Sequence, residues 1–358
     1  MTVYIVDLEA VETRYTAQWK KYLPEQMIAA GLNVKVISGG DVPQATTPGA
    51  FLNFAGTNSY KSQQLLQIAE MFANGAVKAG DYFLYTDAWN PTVIQVKYMS
   101  ELLDIPVKLG GMWHAGSYDP QDFLGRLIGD KPWVRNAESS MFYCYDHNFF
   151  ATKFHLDMFC RNLFDEDNSE DFMEWHPGKI HIVGWPMEYL KDILAPYRYI
   201  GKKNQIIFPH RIASEKQLEI FKDLAAAMPE YKWIVAQENN LSKHEYHEQL
   251  AASKIVFSAN LQETLGISVY EGALVGTYPM VPDRLSYQEM WNPWFKYPSE
   301  WTKNWESYQK HKPFIIERIR NIMGSNNEDF AETVFVNAGL STNSFFNGEK
   351  LYKTIIAS

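Results

Sequence analysis

Two acidic residues eight positions apart, Glu263 and Glu271, bracket the start of an apolar stretch in SANLQETLGISVYEGALVGTYPMVPDRLSYQE, residues 258–289. Eight helical residues rise about 12 Å. One carboxylate is therefore expected at a helix mouth and the other roughly two turns inside. That separation suits an elongated ligand with hydroxyls near both ends and an anion between them. The N–H groups of Thr264, Leu265, Gly266 and Ile267 would face the anion. Gly266 would remove a side chain where a phosphate approaches. A second pair stands earlier in the chain. The apolar run 204–208 leads into Pro209-His210-Arg211, with Lys216 following. Both cations leave the carboxyl end of a strand, the edge where open α/β sheets bind ligands. Arg211 can grip a phosphate bidentately and Lys216 adds a point charge. Facing a diphosphate, they would neutralise charge developing on a leaving group. Taken singly, each pair also reads as ordinary surface residues around a helix start or in a loop.

The elements that must position these groups alternate. In the first half, strands are predicted at 3–6, 33–38, 81–86, 107–110, 139–145 and 179–183, and helices at 16–30, 62–73, 92–103 and 148–162. The alternation restarts with strands at 204–208, 233–236, 255–258 and 278–281. Helices are predicted there at 214–227, with Ser214 as N-cap, and at 244–252, 266–275, 304–323 and 350–356. Strands alternating with helices at this spacing give parallel sheets. The chain reads as α/β, with two Rossmann-like domains. The first spans 1–185 and the second 186–335, with a helical segment at 336–358 packing back on the first. Residues 164–174, FDEDNSEDFME, hold six acidic side chains and read as a solvated loop. Asp165 and Asp167 imitate a DxD metal motif, but no apolar strand leads into them.

Composition narrows the function classes. The 358-residue chain is 46% hydrophobic and 21% charged, so a disordered chain is excluded. Its net charge of −9 repels polyanions overall and argues against generic nucleic-acid coating. Cys144 and Cys160 are too few for a disulfide framework or a cysteine-based zinc site. With no signal-peptide pattern at the start and no long apolar run, the expectation is a cytoplasmic protein that spans no membrane.

Together, Arg211, Lys216, Glu263 and Glu271 resemble the donor domain of retaining GT-B glycosyltransferases, with its Arg-x4-Lys pair and Glu-x7-Glu motif. The resemblance implies that Glu271 holds the donor ribose hydroxyls and Glu263 the sugar hydroxyls. It gives the pyrophosphate to the two cations and the amides after Glu263. The donor would be a nucleotide-sugar, with a UDP-sugar expected, and neither metal nor cofactor would be needed. Phe208-Pro209-His210-Arg211 and Val281-Pro282-Asp283-Arg284-Leu285-Ser286-Tyr287 are similar to a subgroup that includes the tRNA-queuosine mannosyltransferases. The resemblance covers residues 204–290 well and 1–185 only in fold pattern. The Gly-rich loop frequent in the family after its first strand is replaced by Leu8-Glu9-Ala10-Val11-Glu12-Thr13-Arg14-Tyr15. Many relatives carry a His touching the donor sugar, which makes His114, in Gly110-Gly111-Met112-Trp113-His114-Ala115-Gly116, the matching candidate.

The expected activity is transfer of a hexose or pentose, with retention, to an acceptor hydroxyl. The queuosine-type likeness points to a modified base in DNA or tRNA. Virus-encoded enzymes that glycosylate hydroxylated or hydroxymethylated pyrimidines in DNA also use GT-B folds, which keeps DNA modification in a host cytoplasm open. Lys20, Lys21, Lys61, Lys108, Arg126, Lys131 and Arg135 would then line a groove on the first domain. Glycan or lipid transfer, nucleotide-sugar epimerisation and a non-catalytic two-lobed binder are the alternatives. No stable protein partner is evident.

Overall fold

In a computed structural model, which describes residues 1–11, 15–43, 52–325 and 327–358, the chain divides into two compact units. The first comprises Met1–Met187 and Asn347–Ser358, the second Glu188–Phe346. The observed division falls two residues beyond the expected boundary, and the expected 336–358 segment is split at Phe346.

In the first unit the order is β1 (Val3–Val6), α1 (Tyr15–Ala29), β2 (Val34–Ile37), α2 (Phe54–Ala73), β3 (Tyr82–Tyr85), α3 (Thr92–Leu102), β4 (Lys108–Trp113), α4 (Phe123–Leu127), α5 (Pro132–Cys144), β5 (His147–Phe150), α6 (Lys153–Phe164), α7 (Ser169–Trp175) and β6 (Ile180–Ile182). The six strands form one sheet in the order β2-β1-β3-β4-β5-β6, and every pairing is parallel. β1 and β3 are buried at every residue, as expected of a parallel sheet covered on both faces.

The second unit runs α8 (Tyr189–Leu194), β7 (Lys203–Phe208), α9 (Leu218–Ala227), β8 (Lys232–Val235), α10 (Lys243–Ala252), β9 (Ser253–Phe257), α11 (Ile267–Leu274), β10 (Tyr278–Pro282), α12 (Tyr287–Met290), β11 (Lys296–Tyr297), α13 (Trp305–Met323) and α14 (Asn327–Thr342). Its parallel sheet has the order β11-β10-β9-β7-β8. The final helix, α15 (Glu349–Ala357), belongs to the first unit. Both sheets place their first strand between the second and third. Each therefore has a switch point where the chain reverses its direction of winding, β1/β3 in one and β7/β9 in the other.

Four local expectations are corrected. Residues 139–145, which read as a strand from their aromatic content, are the end of α5. Pro132 opens that helix, and Val134, Glu138, Met141 and Phe142 are its buried positions, a helical spacing. The strand follows at His147–Phe150, so the next helix starts later, capped by the Thr152 hydroxyl on the His155 amide. The acidic run is not wholly loop, because Asn168 caps α7 and Phe172 anchors it in the core. Ser214 caps no α-helix. It lies in a single 3-10 turn, and α9 begins after Gln217, a left-handed residue at φ 53°. Helix α14 starts at Asn327, nine residues before the helical segment expected at 336–358, since Thr333, Val334 and Val336 lower the intrinsic propensity there.

Candidate functional site

The β7/β9 switch point assembles most of the candidate residues within the second unit. β7 and β9 pair through Ile207 and Val256, so the loops after both strands leave the same edge of the sheet. After β7 come His210, Arg211 and the 3-10 turn holding Glu215 and Lys216. After β9 the chain bends through Asn260 and Glu263 and enters α11, with Gly266 as its N-cap residue. Lys216 is buried at 5% exposure. Its ammonium donates to the Gln262 carbonyl and lies 3.6 Å from a Glu263 carboxylate oxygen. The same carboxylate accepts from Asn260 at 3.3 Å and from the Leu265 amide at 3.4 Å. The structure thus joins Lys216, Glu263 and Leu265 at the mouth of α11. The amides of Gly266 and Ile267 open that helix, whose first turn of N–H groups has no intrahelical acceptor. Thr264 sits beside Glu263 in the same bend.

Gly266 has a reason different from the one expected. Its φ is +83°, and a Cβ there would meet the Tyr287 ring at 2.7 Å. Glycine is required by the left-handed turn and by Tyr287 before any ligand is considered. Tyr287 is itself buried, its hydroxyl 3.2 Å from both Ser258 and Asn260. Burial, reinforced by the Glu263 charge, pushes that phenol well above its ordinary range.

Arg211 is paired with the fully buried Glu215 through one guanidinium nitrogen. This ion pair holds the guanidinium at the strand edge. Beside it His210 is buried, its Nδ1 3.5 Å from the Ser268 hydroxyl of α11 and its Nε2 without a hydrogen-bond partner among the described residues. Burial, followed by the Lys216 charge, holds the imidazole well below its usual pKa, so it is neutral.

Glu271 departs most from expectation. Because α11 begins at Ile267, Glu271 lies a little over one turn inside, not two. It is 4% exposed. Its Oε1 is 3.0 Å from the Lys243 ammonium, and its Oε2 accepts from the Tyr246 hydroxyl at 3.1 Å. His247 Nε2 is 3.8 Å from Oε1. Burial alone would raise this carboxyl, but Lys243 and His247 overcome it and hold its pKa at about 2.

The sequence pattern does not single out Lys243, Tyr246 and His247, although their i, i+3, i+4 spacing puts them on one face of α10. Nor does it single out the scaffold under the loop. Arg284 donates to the Asn260 carbonyl at 2.7 Å, the Ala259 carbonyl at 2.7 Å and the Ser299 carbonyl at 3.0 Å. Gln217 donates to the carbonyls of Ala259 and Thr302, which secures its left-handed backbone. A half-buried arginine tying four carbonyls, that of Thr302 at 3.3 Å included, fixes a loop; no periodic pattern announces it.

His114 follows β4 in the first unit. Its Nε2 is 2.7 Å from the Thr86 carbonyl and its Nδ1 is 3.1 Å from the Tyr15 hydroxyl. Facing a carbonyl, Nε2 must carry the proton, which leaves Nδ1 to accept from Tyr15. Of the residues between Leu8 and Tyr15, Glu12, Thr13 and Arg14 lie outside those described.

The expected basic groove of that unit does not form as one surface. Lys108 begins β4, at the amino edge of the sheet, and is 3.9 Å from Asp146. Lys61 is buried and donates to the Trp89 carbonyl, whereas Lys20 is 3.5 Å from Asp7. Arg135 pairs with Asp165 at 2.7 Å, and Arg161 with Asp167 at 3.2 Å. The DxD-like residues are thus engaged with arginines. No cluster of three His, Cys, Asp or Glu side chains is placed to hold a metal among the described residues. Nor is any described helix long and apolar enough to cross a membrane.

No family model matches the chain. Among curated proteins, it is 24% identical over 157 residues to the tRNA-queuosine alpha-mannosyltransferase of Drosophila melanogaster. That match takes in 43% of this chain and 40% of the relative, so the chain spans well under half the length of the curated protein it resembles. Among solved structures, the catalytic domain of starch synthase IV from Arabidopsis thaliana, bound to ADP and acarbose, superimposes with a TM-score of 0.61 at 10% identity, covering 100% of this chain and 99% of that one. Sucrose-phosphate synthase from Thermosynechococcus elongatus gives 0.61 at 13% identity, again over 100% and 99%. HepE from Anabaena, in complex with UDP and glucose, gives 0.59 at 11% over 100% of both chains. With these neighbours over the full chain and two parallel sheets of matching order, the fold is GT-B.

Proposed function

We propose that the protein is a glycosyltransferase that takes a sugar from a nucleotide-sugar and passes it, with retention, to an acceptor hydroxyl. The observation that carries this reading is the contact of Lys216 with Glu263 at the open mouth of α11, on the β7/β9 switch point. In this reading Arg211, Lys216 and the amides of Thr264, Leu265, Gly266 and Ile267 bind the diphosphate. Their cations and dipoles stabilise charge growing on the leaving oxygen. Glu263 takes the sugar hydroxyls and Glu271 the ribose hydroxyls. The leaving diphosphate assists deprotonation of the acceptor, so no second carboxylate is needed as nucleophile. Metal is dispensable in this scheme, since two cations and a helix terminus supply the positive charge. A UDP- or ADP-linked sugar is the donor to try first, given the nucleotides named with the structural neighbours. His114 is kept as a candidate sugar contact; its replacement by Ala should lower turnover while leaving nucleotide affinity unchanged.

For the acceptor, the curated relative's name supports a modified base in tRNA. A specific observation favours a second reading, a glycan or lipid hydroxyl. The carboxyl edge of the first unit's sheet is lined with buried carboxylates, Asp7, Glu9 and Glu138, and phosphates avoid such an edge. The deciding experiment incubates the protein with nucleotide-sugars and each acceptor class and detects transfer by mass. Failure to bind or turn over any nucleotide-sugar would remove the reading.

A further inference from the structure

We infer that Lys243 and Tyr246 fix the Glu271 carboxylate as a paired acceptor for a vicinal diol, and so make this site select a ribonucleotide over its 2′-deoxy counterpart. The inference rests on the donor-site reading above and adds two positioning residues to it.

An ionised carboxylate has about four lone-pair directions on its two oxygens. Lys243 takes one on Oε1 and Tyr246 takes one on Oε2. One direction per oxygen is left. Two acceptors joined by a single carbon match the two adjacent hydroxyls of a ribose and are poorly matched by a lone hydroxyl. With both inner directions tied to α10, the carboxylate cannot rotate to accept one hydroxyl with both oxygens.

The placement of Lys243 is a second, independent sign. It is the first residue of α10, whose start is fixed by a capping box between Ser242 and Glu245. A cation in the first turn of a helix faces the positive end of the macrodipole, where acids are favoured. Lys243 is held there by the nearly buried Glu271, while its own side chain remains 38% exposed.

The ion pair also keeps Glu271 an acceptor at every working pH. The titratable groups facing it are Lys243, Tyr246 and His247 of α10. Glu188, just before α8, acts instead on Tyr270. Burial opposes ionisation of Glu271, and Lys243 is the largest influence against burial. Without that ammonium the carboxyl would take up a proton as pH falls. A protonated carboxyl offers a donor where the diol needs an acceptor.

The test measures affinity for UDP, ADP and their 2′-deoxy forms between pH 5 and 8, in the full chain and in Lys243→Met, Lys243→Arg and Tyr246→Phe. The unaltered protein should prefer the ribonucleotide by roughly tenfold or more, with a flat pH response. Lys243→Met should lose part of the preference already near pH 8, because Oε1 is freed, and weaken further as pH falls, with the ribo/deoxy ratio shrinking in parallel. Lys243→Arg should restore the flat profile. Tyr246→Phe should reduce the ratio at all pH values, because one oxygen is freed to turn. A carboxyl NMR titration of Glu271 without ligand should show its midpoint moving up in Lys243→Met. A flat profile with an unchanged ratio in Lys243→Met would overturn the inference, as would a pH-independent loss that Arg does not restore. If the unaltered protein binds neither UDP nor ADP, the donor-site reading itself falls and takes the inference with it. Nucleotide binding by the unaltered protein with silent variants removes the inference alone.

Discussion

The two switch points of this chain share a strand order and differ in charge. At β7/β9 the loop after the first strand carries Arg211 and Lys216, and the loop after the third leads to Glu263 and the mouth of α11. At β1/β3 the same positions carry Asp7 directly after the first strand, and Thr86 and Asp87 after the third. Asp7 is buried and accepts from the hydroxyls of Ser38 and Tyr60 and from the Gln64 amide. In the same unit, Glu138 is wholly buried and accepts from the Ser117 amide at 2.7 Å, the Ser117 hydroxyl at 2.8 Å and the Trp89 indole at 2.8 Å. The first unit therefore uses its polar residues to satisfy its own carboxylates, and the second gathers cations and helix amides around a Glu. Architecture sets where a ligand can lie; the loop residues decide which ligand.

The largest expected effect tests the cationic side. Arg211→Met and Lys216→Met should each lower the rate of sugar transfer about 10²–10³-fold, the usual loss when a donor to a developing oxyanion is removed. Activity should persist in EDTA. Lys20→Met, at the matching edge of the first unit, should leave transfer within about twofold, because that lysine answers Asp7. Single-turnover kinetics would check all three. Loss of activity on chelation, restored by magnesium, would break the comparison by showing that the cations are not sufficient.

Acid should act on the two units in opposite directions. The Glu271 carboxyl lies at about 2 in the folded chain, below the ordinary 4.5. Its stabilisation is fully present above 4.5 and lost as pH falls toward 2, on the order of 3 kcal/mol. A cleft glutamate is thus expected to support stability as well as binding: Glu271→Ala should weaken both folding and nucleotide affinity. Asp7 and Glu138 go the other way. Burial raises both above their ordinary values, against the hydrogen bonds they accept. The folded chain then holds protons that the unfolded chain has released, so these groups lose stability as pH rises through that window. Hydrogen exchange of the full chain between pH 3 and 7 should show protection of α10 and α11 falling toward acid and that of β1 and α5 rising. Parallel slopes in both units would refute the contrast.

Gly266→Ala should have the next effect. A left-handed alanine at φ +83° is strained, and its Cβ would press on Tyr287. A stability loss of about 1–3 kcal/mol is expected, with weaker nucleotide binding as α11's mouth shifts. Calorimetric unfolding and nucleotide titration of the variant provide the check. The corresponding turn after β3 in the first unit, residues 86–91, contains no glycine, so no equivalent anion mouth is expected there.

Much of this is legible in the sequence, for physical reasons that also explain the misses. Parallel strands covered on both faces are short apolar runs, and all but β5 and β11 stand out as such. The aromatic end of α5 imitates a strand, because residues 139–145 show β-favouring side chains while the helical spacing lies further back at Val134 and Glu138. At the site, groups linked by a fixed spacing are readable: Arg211 with Lys216, Glu263 with Glu271. Groups joined only by the fold are not. Lys243 and Glu271 are separated by 28 positions and Arg284 and Asn260 by 24, and no local pattern connects them.

The smallest expected effect sharpens the acidic side of the comparison. Lys21 and Lys131 are exposed in the first unit. If an acceptor polyanion lay along that unit, reversing either to Glu would leave a phosphate unneutralised, weaken acceptor binding and flatten its salt dependence. The log–log slope would fall by about 0.7–0.9 for each such phosphate. The cations nearest the sheet's carboxyl edge, Lys20 and Lys61, already have partners in Asp7 and in the Trp89 carbonyl. The expected outcome is therefore a shallow salt response and silent reversals, within about 0.5 kcal/mol as for ordinary surface changes. Acceptor affinity at saturating donor, from low to moderate salt, measures this. A shallow slope fits a glycan, a lipid hydroxyl or a base recognised without its backbone. A steep slope that Lys21→Glu or Lys131→Glu reduces would mean that the first unit grips a nucleic-acid backbone despite its acidic edge, and the contrast between the two switch points would no longer predict which ligand each unit takes.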